Sequence, residues 1–145
     1  MAHASSRDVA HGHVAQDKYR TWKMIGGIVC MNLHEFLAKE LLAAKGVAIP
    51  RGSVCYDPLE ALIAARKLKT DRVVLKAQVH SGGRGKAGGV ALVPVDDNIR
   101  VKASEILNRK LVTNQTGPQG KPVSALLVEE VLPIDQEIYL GVVLD

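Results

Sequence analysis

The stretch Val73 to Val93, VVLKAQVHSGGRGKAGGVALV, constrains this chain more than any other. Two runs rich in β-branched residues flank a segment in which Gly82, Gly83, Gly85, Gly88 and Gly89 fall close together. Apolar runs bounded by glycine read as strands, so Arg72 to Val79 and Val90 to Val95 are expected to form a strand–loop–strand hairpin. Glycine is needed where a backbone must turn freely or lie against another group without a Cβ in the way. Gly83-Arg84-Gly85-Lys86-Ala87-Gly88 spells G-x-G-x-x-G, but a dinucleotide fingerprint needs a helix to begin at its last glycines, and here a strand follows. A Walker A loop is excluded because Ala87, in place of Ser or Thr, follows Gly85-Lys86. The protein-kinase pattern is met through Val90, yet its lysine belongs on a strand after the loop, and Lys76 precedes it.

A hairpin whose loop is rich in exposed N–H groups remains, the arrangement of a flap that closes over phosphates. Lys76 strengthens that reading. It sits among Val73, Val74, Leu75, Ala77 and Val79, and an ammonium buried in such company needs an anionic partner. A phosphate held under the flap would supply one, in a charge-assisted contact worth about 1.5–3 kcal/mol. The alternative is an outward-facing lysine on an edge strand. On the phosphate reading, Lys76→Met is expected to abolish the contact and spare the fold.

The rest of the chain reads as mixed helices and strands. Asn32 with Glu35 forms a capping-box pair ahead of Leu33, Phe36, Leu37 and Leu41 at helical spacing, and Gly46 closes the helix. VAIPRGSVCY is expected to give two short extended pieces around a turn. Asp57, Pro58 and Glu60 mark the start of a second helix that ends near Lys69, with Leu59, Leu62 and Ile63 as its buried stripe. Asp96 or Asp97 caps a third, on which Ile99, Ala103, Ile106 and Leu107 share a face and which Arg109 and Lys110 close. Thr113 to Pro122 is an exposed loop, and Ala125 to Val131 and Ile138 to Leu144 are strand candidates. Alternation of this kind points to a layered α/β or α+β domain.

Bulk properties narrow the class. The chain has 145 residues, 47% of them hydrophobic, enough for one core. Its charge of +4 is spread along the chain and only 3% of residues are aromatic, so nucleic acid is not the expected partner. Cys30 and Cys55 have no metal-ligand spacing and suit a reducing cytoplasm. No apolar run spans a bilayer, and Met24 to Met31, MIGGIVCM, is too short and too far from the terminus for a signal core. Residues 1–30, with His3, His11 and His13 at no metal spacing, are expected to be a polar, irregular extension or a wrong start.

From Met31 to Asp145 the sequence resembles the N-terminal part of the β subunit of succinate–CoA ligase and related acid–CoA ligases such as malate–CoA ligase. The resemblance rests on MNLHEFLAKELLAAKGVAIPRG, VVLKAQVHSGGRGKAGGV, KLVTNQTG with QGKPV after it, and EIYLGVVLD. It implies an α+β ATP-grasp fold, of which 31–145 is a partial domain. By position it implies that Lys76 contacts nucleotide phosphates, that Gly83, Arg84 and Gly85 cover them, that Glu129 and Leu132 lie at the hinge that reads the base, and that Glu137 meets the ribose. Read from the residues alone, Glu129 and Glu130 are equally the acids of an alternating strand edge.

The reaction implied joins a carboxylic acid, succinate or malate, to CoA with ATP or GTP split to NDP and phosphate. The resemblance further implies a partner α subunit carrying a phosphohistidine and the CoA site, Mg2+ ligands expected beyond residue 145, and a cytoplasmic location, or the mitochondrial matrix in a eukaryote. No catalytic residue or metal ligand is assigned within the chain, which is expected to be inactive alone. His34 is read as structural or solvent-facing, and His80 as orienting the loop. Another ATP-grasp carboxylate ligase and a non-catalytic nucleotide-binding module are the competing readings.

Overall fold

The computed structural model describes residues 22–25 and 28–143. The chain divides into two units, Met1–Leu33 and His34–Asp145. In the first, strands β1 (Trp22–Ile25) and β2 (Ile28–Met31) pair antiparallel, Trp22 opposite Met31 and Ile25 opposite Ile28. This corrects the expectation of an irregular segment up to residue 30. Two apolar runs separated by Gly26-Gly27 carry a hairpin signal in their own right. The three early histidines and the side chain of Cys30 lie outside the described residues.

The second unit runs α1 (Glu35–Ala44), β3 (Gly52–Cys55), α2 (Pro58–Leu68), β4 (Arg72–Gln78), β5 (Val90–Pro94), α3 (Asn98–Leu107), β6 (Lys110–Leu111), β7 (Lys121–Pro122) and β8 (Ala125–Glu130). Four strands form an antiparallel sheet in the order β3–β8–β4–β5, and β6 pairs with β7 beside it. The architecture is α+β.

Period-two alternation assigns the two faces of this sheet. Val73, Leu75 and Ala77 of β4 and Leu126 and Val128 of β8 pack with Ala61, Ala65 and Leu68 of α2 and Ile99, Ala103 and Ile106 of α3. The intervening residues, Lys76 and Gln78 of β4 and Leu127 and Glu129 of β8, face the other way, toward α1. There the Phe36 N–H donates to Gln78 Oε1 at 3.3 Å, and Lys39 donates to Glu129. The sheet is thus a layer between a hydrophobic face and a polar one.

Helix α2 starts as its sequence dictates: Asp57 Oδ1 accepts from the N–H groups of Leu59 at 2.8 Å and Glu60 at 2.9 Å, with Pro58 at the first helical position. Its buried face differs from the expected stripe. Ala61, Ala64 and Ala65 are buried with Leu62 and Leu68, whereas Leu59 and Ile63 are about half exposed. Small side chains let the helix lie close on the sheet, so alanine wins over the larger residues at the contact.

Helix α1 also departs from its reading. His34, not Asn32, is the N-cap, and it makes no side-chain cap bond. Glu35 cannot complete a capping box because its carboxylate is taken up by Lys39, Lys76 and Arg84. Phe36 and Leu37 are buried, and Leu41 is exposed. Only one of the two extended pieces expected in VAIPRGSVCY forms, as β3. In α3 the expected Ile99, Ala103 and Ile106 are buried, while Arg109 and Lys110 follow the helix instead of ending it.

Ile138 to Leu144 does not form the expected strand. As far as residue 143 it is exposed coil, with Tyr139 96% exposed. Apolar composition favours a strand only where a ladder partner exists, and none of the described residues supplies one.

Leu75 is fully buried at the centre of β4. Leu75→Ala is expected to lower unfolding free energy by about 2–5 kcal/mol in urea titration.

Candidate functional site

The glycine loop leaves β4 at Gln78 and rejoins the sheet at Val90. It is stitched from within: the N–H groups of Ala87, Gly88 and Gly89 donate to the carbonyls of Gly83, Gly85 and Arg84. Gly83 has φ +71°, a left-handed conformation that a side chain would strain. Gly85 has open space around its missing Cβ. Among the described residues nothing accepts from the N–H groups of Gly83, Arg84, Gly85 or Lys86, so four donors in a row stay free for an anion. Residues 113–115 brace the loop from the side. Gln115 Oε1 accepts from the Gly82 N–H at 2.6 Å, and the hydroxyls of Ser81 and Thr113 share a hydrogen bond. A cleft of about 270 Å³ opens between the two segments.

Below the loop lies a cluster of charges on the polar face of the sheet. Lys76 Nζ is 2.7 Å from Glu129 Oε2 and 3.3 Å from Glu35 Oε1. Glu129 is buried, its side chain 2% exposed, and Lys39 meets its other oxygen. Gly52 makes this possible: it faces Glu129 across β3 and β8, where a Cβ would come within 2.6 Å of Glu129 Cγ. Arg84 reaches in from the loop, donating to Ala77 O at 2.7 Å and to Glu35 Oε2 at 2.6 Å. Three cations therefore converge on two carboxylates, leaving a surplus positive charge.

Burial would push the Glu35 carboxyl up. Hydrogen bonds from Arg84 and Lys39, and the charges of Lys76 and Arg84, outweigh it and hold the carboxyl at about 2. Burial likewise opposes charge on Lys76, but Glu129 and Glu35 raise its pKa above the usual lysine value. Neither group is neutral at any ordinary pH.

Two histidines join α1 to the loop. His34 and His80 stack with ring centroids 3.8 Å apart, and both Nδ1 atoms are buried without a hydrogen-bond partner. Burial, His80 and Arg84 lower His34 to about 4; burial and Lys121 lower His80. Protonating either ring would place a charge against its neighbour. His34 is thus packed against His80, which stands where the loop begins.

The structure brings Lys76, Arg84 and Glu129 together beside Gly83 and Gly85, and ties the Lys76 ammonium to the loop through Glu35. It does not bring Leu132 or Glu137 to them: both lie in the exposed coil of 131–143. Sequence reading missed Glu35, Lys39, Gln78 and Gln115. The spacing of Glu35 and Lys39, one helical turn apart, was the available signal for the first two. The larger cleft of about 710 Å³, between the start of α2 and α3, is lined by residues whose ion pairs, Arg66–Asp97 and Lys102–Glu105, are exposed.

Residues 32–145 match the family model described as the ATP-grasp domain. The chain belongs to the ATP-grasp family. It is 56% identical over 115 residues to the succinate–CoA ligase [ADP-forming] subunit beta of Exiguobacterium sp. (strain ATCC BAA-1283 / AT1b), which covers 79% of this chain and 30% of that protein. It is 54% identical to the probable malate–CoA ligase subunit beta of Mesorhizobium japonicum, covering 79% and 29%, and 52% identical to the succinate–CoA ligase [ADP-forming] subunit beta of Halalkalibacterium halodurans, covering 79% and 30%. The chain spans about three-tenths of the length of the curated relatives it matches. ATP-grasp membership fits the α+β sheet and the free N–H groups of its hairpin loop. Among the described residues of this ATP-grasp chain no three His, Cys, Asp or Glu side chains gather as metal ligands. Glu35 and Glu129 already accept from cations and do not suit a divalent ion. No described helix is long and apolar enough to cross a membrane.

Burial of Glu129 revises the expectation for Lys76→Met. Removing the ammonium leaves Glu129 with Lys39 alone, so the variant should lose about 1–3 kcal/mol in denaturant titration, and replacing Glu129 by Leu as well should recover part of it. A fully stable single variant would count against the ion pair. A second prediction concerns acid. Because His34 is harder to protonate folded, at about 4, than at its ordinary 6.5, its neutral form supports the fold above 6.5 and that support drains as pH falls toward 4. Glu35 extends the loss between 4.5 and about 2. The thermal midpoint should fall across pH 6.5 to 4, and His34→Phe, which keeps a stacking ring without titrating, should flatten that limb.

Proposed function

We propose that this chain is the nucleotide-binding part of an acid–CoA ligase β subunit, whose complete protein forms succinyl-CoA or malyl-CoA from acid, CoA and ATP or GTP, releasing NDP and phosphate. The observation that carries this reading is the convergence of Lys76 and Arg84 below a loop with four unsatisfied N–H donors. A polyphosphate is the ligand that such a set fits: several oxygens, dense negative charge, and no need for a side chain in the loop. The relatives, named as ligase β subunits, support the same conclusion.

In this reading the Gly83-Arg84-Gly85 backbone covers the phosphates and Lys76 neutralises part of their charge. The cations lower the cost of crowding negative oxygens, and the loop excludes water. Glu129 and Leu132 belong to the hinge beside the base and Glu137 to the ribose. Mg2+ accompanies the nucleotide, held by residues other than those of the charge cluster. A partner α subunit supplies the phosphohistidine and the CoA site, and the location is cytoplasmic, or the matrix in a eukaryote.

Gly85 allows a clean test, because its missing Cβ has room and its φ is not left-handed. Gly85→Val should leave the melting temperature unchanged yet weaken ATP or GTP binding by calorimetry several-fold, since its side chain projects where phosphate oxygens approach. Unaltered affinity would make the hairpin a purely structural element.

A further inference from the structure

Resting on the nucleotide reading above, we propose that Glu35 is a positioning residue for the phosphate-binding cations, holding Lys76 and Arg84 in fixed relation and tying the glycine loop to α1. One carboxylate oxygen meets Lys39 at 3.0 Å and Lys76 at 3.3 Å, and the other meets Arg84 at 2.6 Å. Arg84 also donates to Ala77 O, so its guanidinium is pinned at both ends, between strand β4 and helix α1. Glu129 anchors Lys76 from below but does not contact Arg84. Among the described residues, Glu35 alone links the cation of the strand to the cation of the loop.

The energetic reason lies in side-chain entropy. Lysine and arginine are among the side chains that lose most rotamer freedom when fixed, and a ligand that must fix them itself binds more weakly. Glu35 has done this before any ligand arrives. It also offsets part of the repulsion among the three cations it pairs with. The surplus charge of the cluster stays positive, so an incoming polyanion is still attracted. The helix start fixes Glu35: the Phe36 N–H donates to Gln78 on the same strand as Lys76.

The test uses Glu35→Gln in the full chain, which keeps the shape and removes the charge. In nucleotide-free protein, trypsin should cleave after Arg84 several-fold faster, while cleavage after Lys45, in the exposed turn that ends α1, stays unchanged. By calorimetry ATP should bind about tenfold more weakly, a loss of about 1.4 kcal/mol, with adenosine binding unmoved. Equal or tighter ATP binding would overturn the inference, making Glu35 a competitor of phosphate, and so would an unchanged rate at Arg84. If the parent chain binds no nucleotide, the nucleotide reading fails by itself, and the Arg84 cleavage rate still decides whether Glu35 holds the loop. Should Glu35→Gln not fold, Arg84→Gln cuts the same tie from the loop side and must accelerate cleavage after Lys86; no acceleration there overturns the inference equally.

Discussion

A buried carboxylate on the second strand of a four-stranded sheet is an expensive arrangement, and the structure is built around meeting its cost. Glu129 can be ionised inside the protein only because Lys76 reaches it from β4 and Lys39 from α1. That requirement fixes α1 on the polar face of the sheet and excludes a side chain from position 52. It also keeps the Lys76 ammonium from turning to water. A lysine held in this way stays charged and close to where the loop begins.

The two faces of the sheet have separate tasks. One is packed with aliphatic residues against α2 and α3 and gives the chain its core. The other carries ion pairs, the Gln78 bridge to α1 and the stacked histidines. Because consecutive residues of β4 point to opposite faces, Leu75 and Ala77 anchor the strand in the core while Lys76 between them faces the ion pairs on the other side. The antiparallel return to β5 then places the glycine loop at the end of the strand that carries the lysine.

Much of this was legible before any coordinates. The β4–β5 hairpin, the Asp57-Pro58 start of α2 and the buried face of α3 follow from local rules of pattern and capping, which act within a few residues. The errors share a cause. Asn32 with Glu35 looks like a capping box until Arg84, 49 positions away, claims the carboxylate. Leu59 and Ile63 look like a core stripe until the sheet selects Ala61, Ala64 and Ala65 instead. The segment 138–143 has the composition of a strand and, among the described residues, no ladder to join.

Sequence alone determined that a lysine within an apolar strand would need an anion, and that the following glycines would expose backbone donors. Tertiary structure decided which anions the lysine meets within the chain, Glu129 and Glu35, because that depends on the register of β4 with β8 and on where α1 settles. Local preference is set by neighbours along the chain. The pairing of charges is set by neighbours in space, and these exist only after folding.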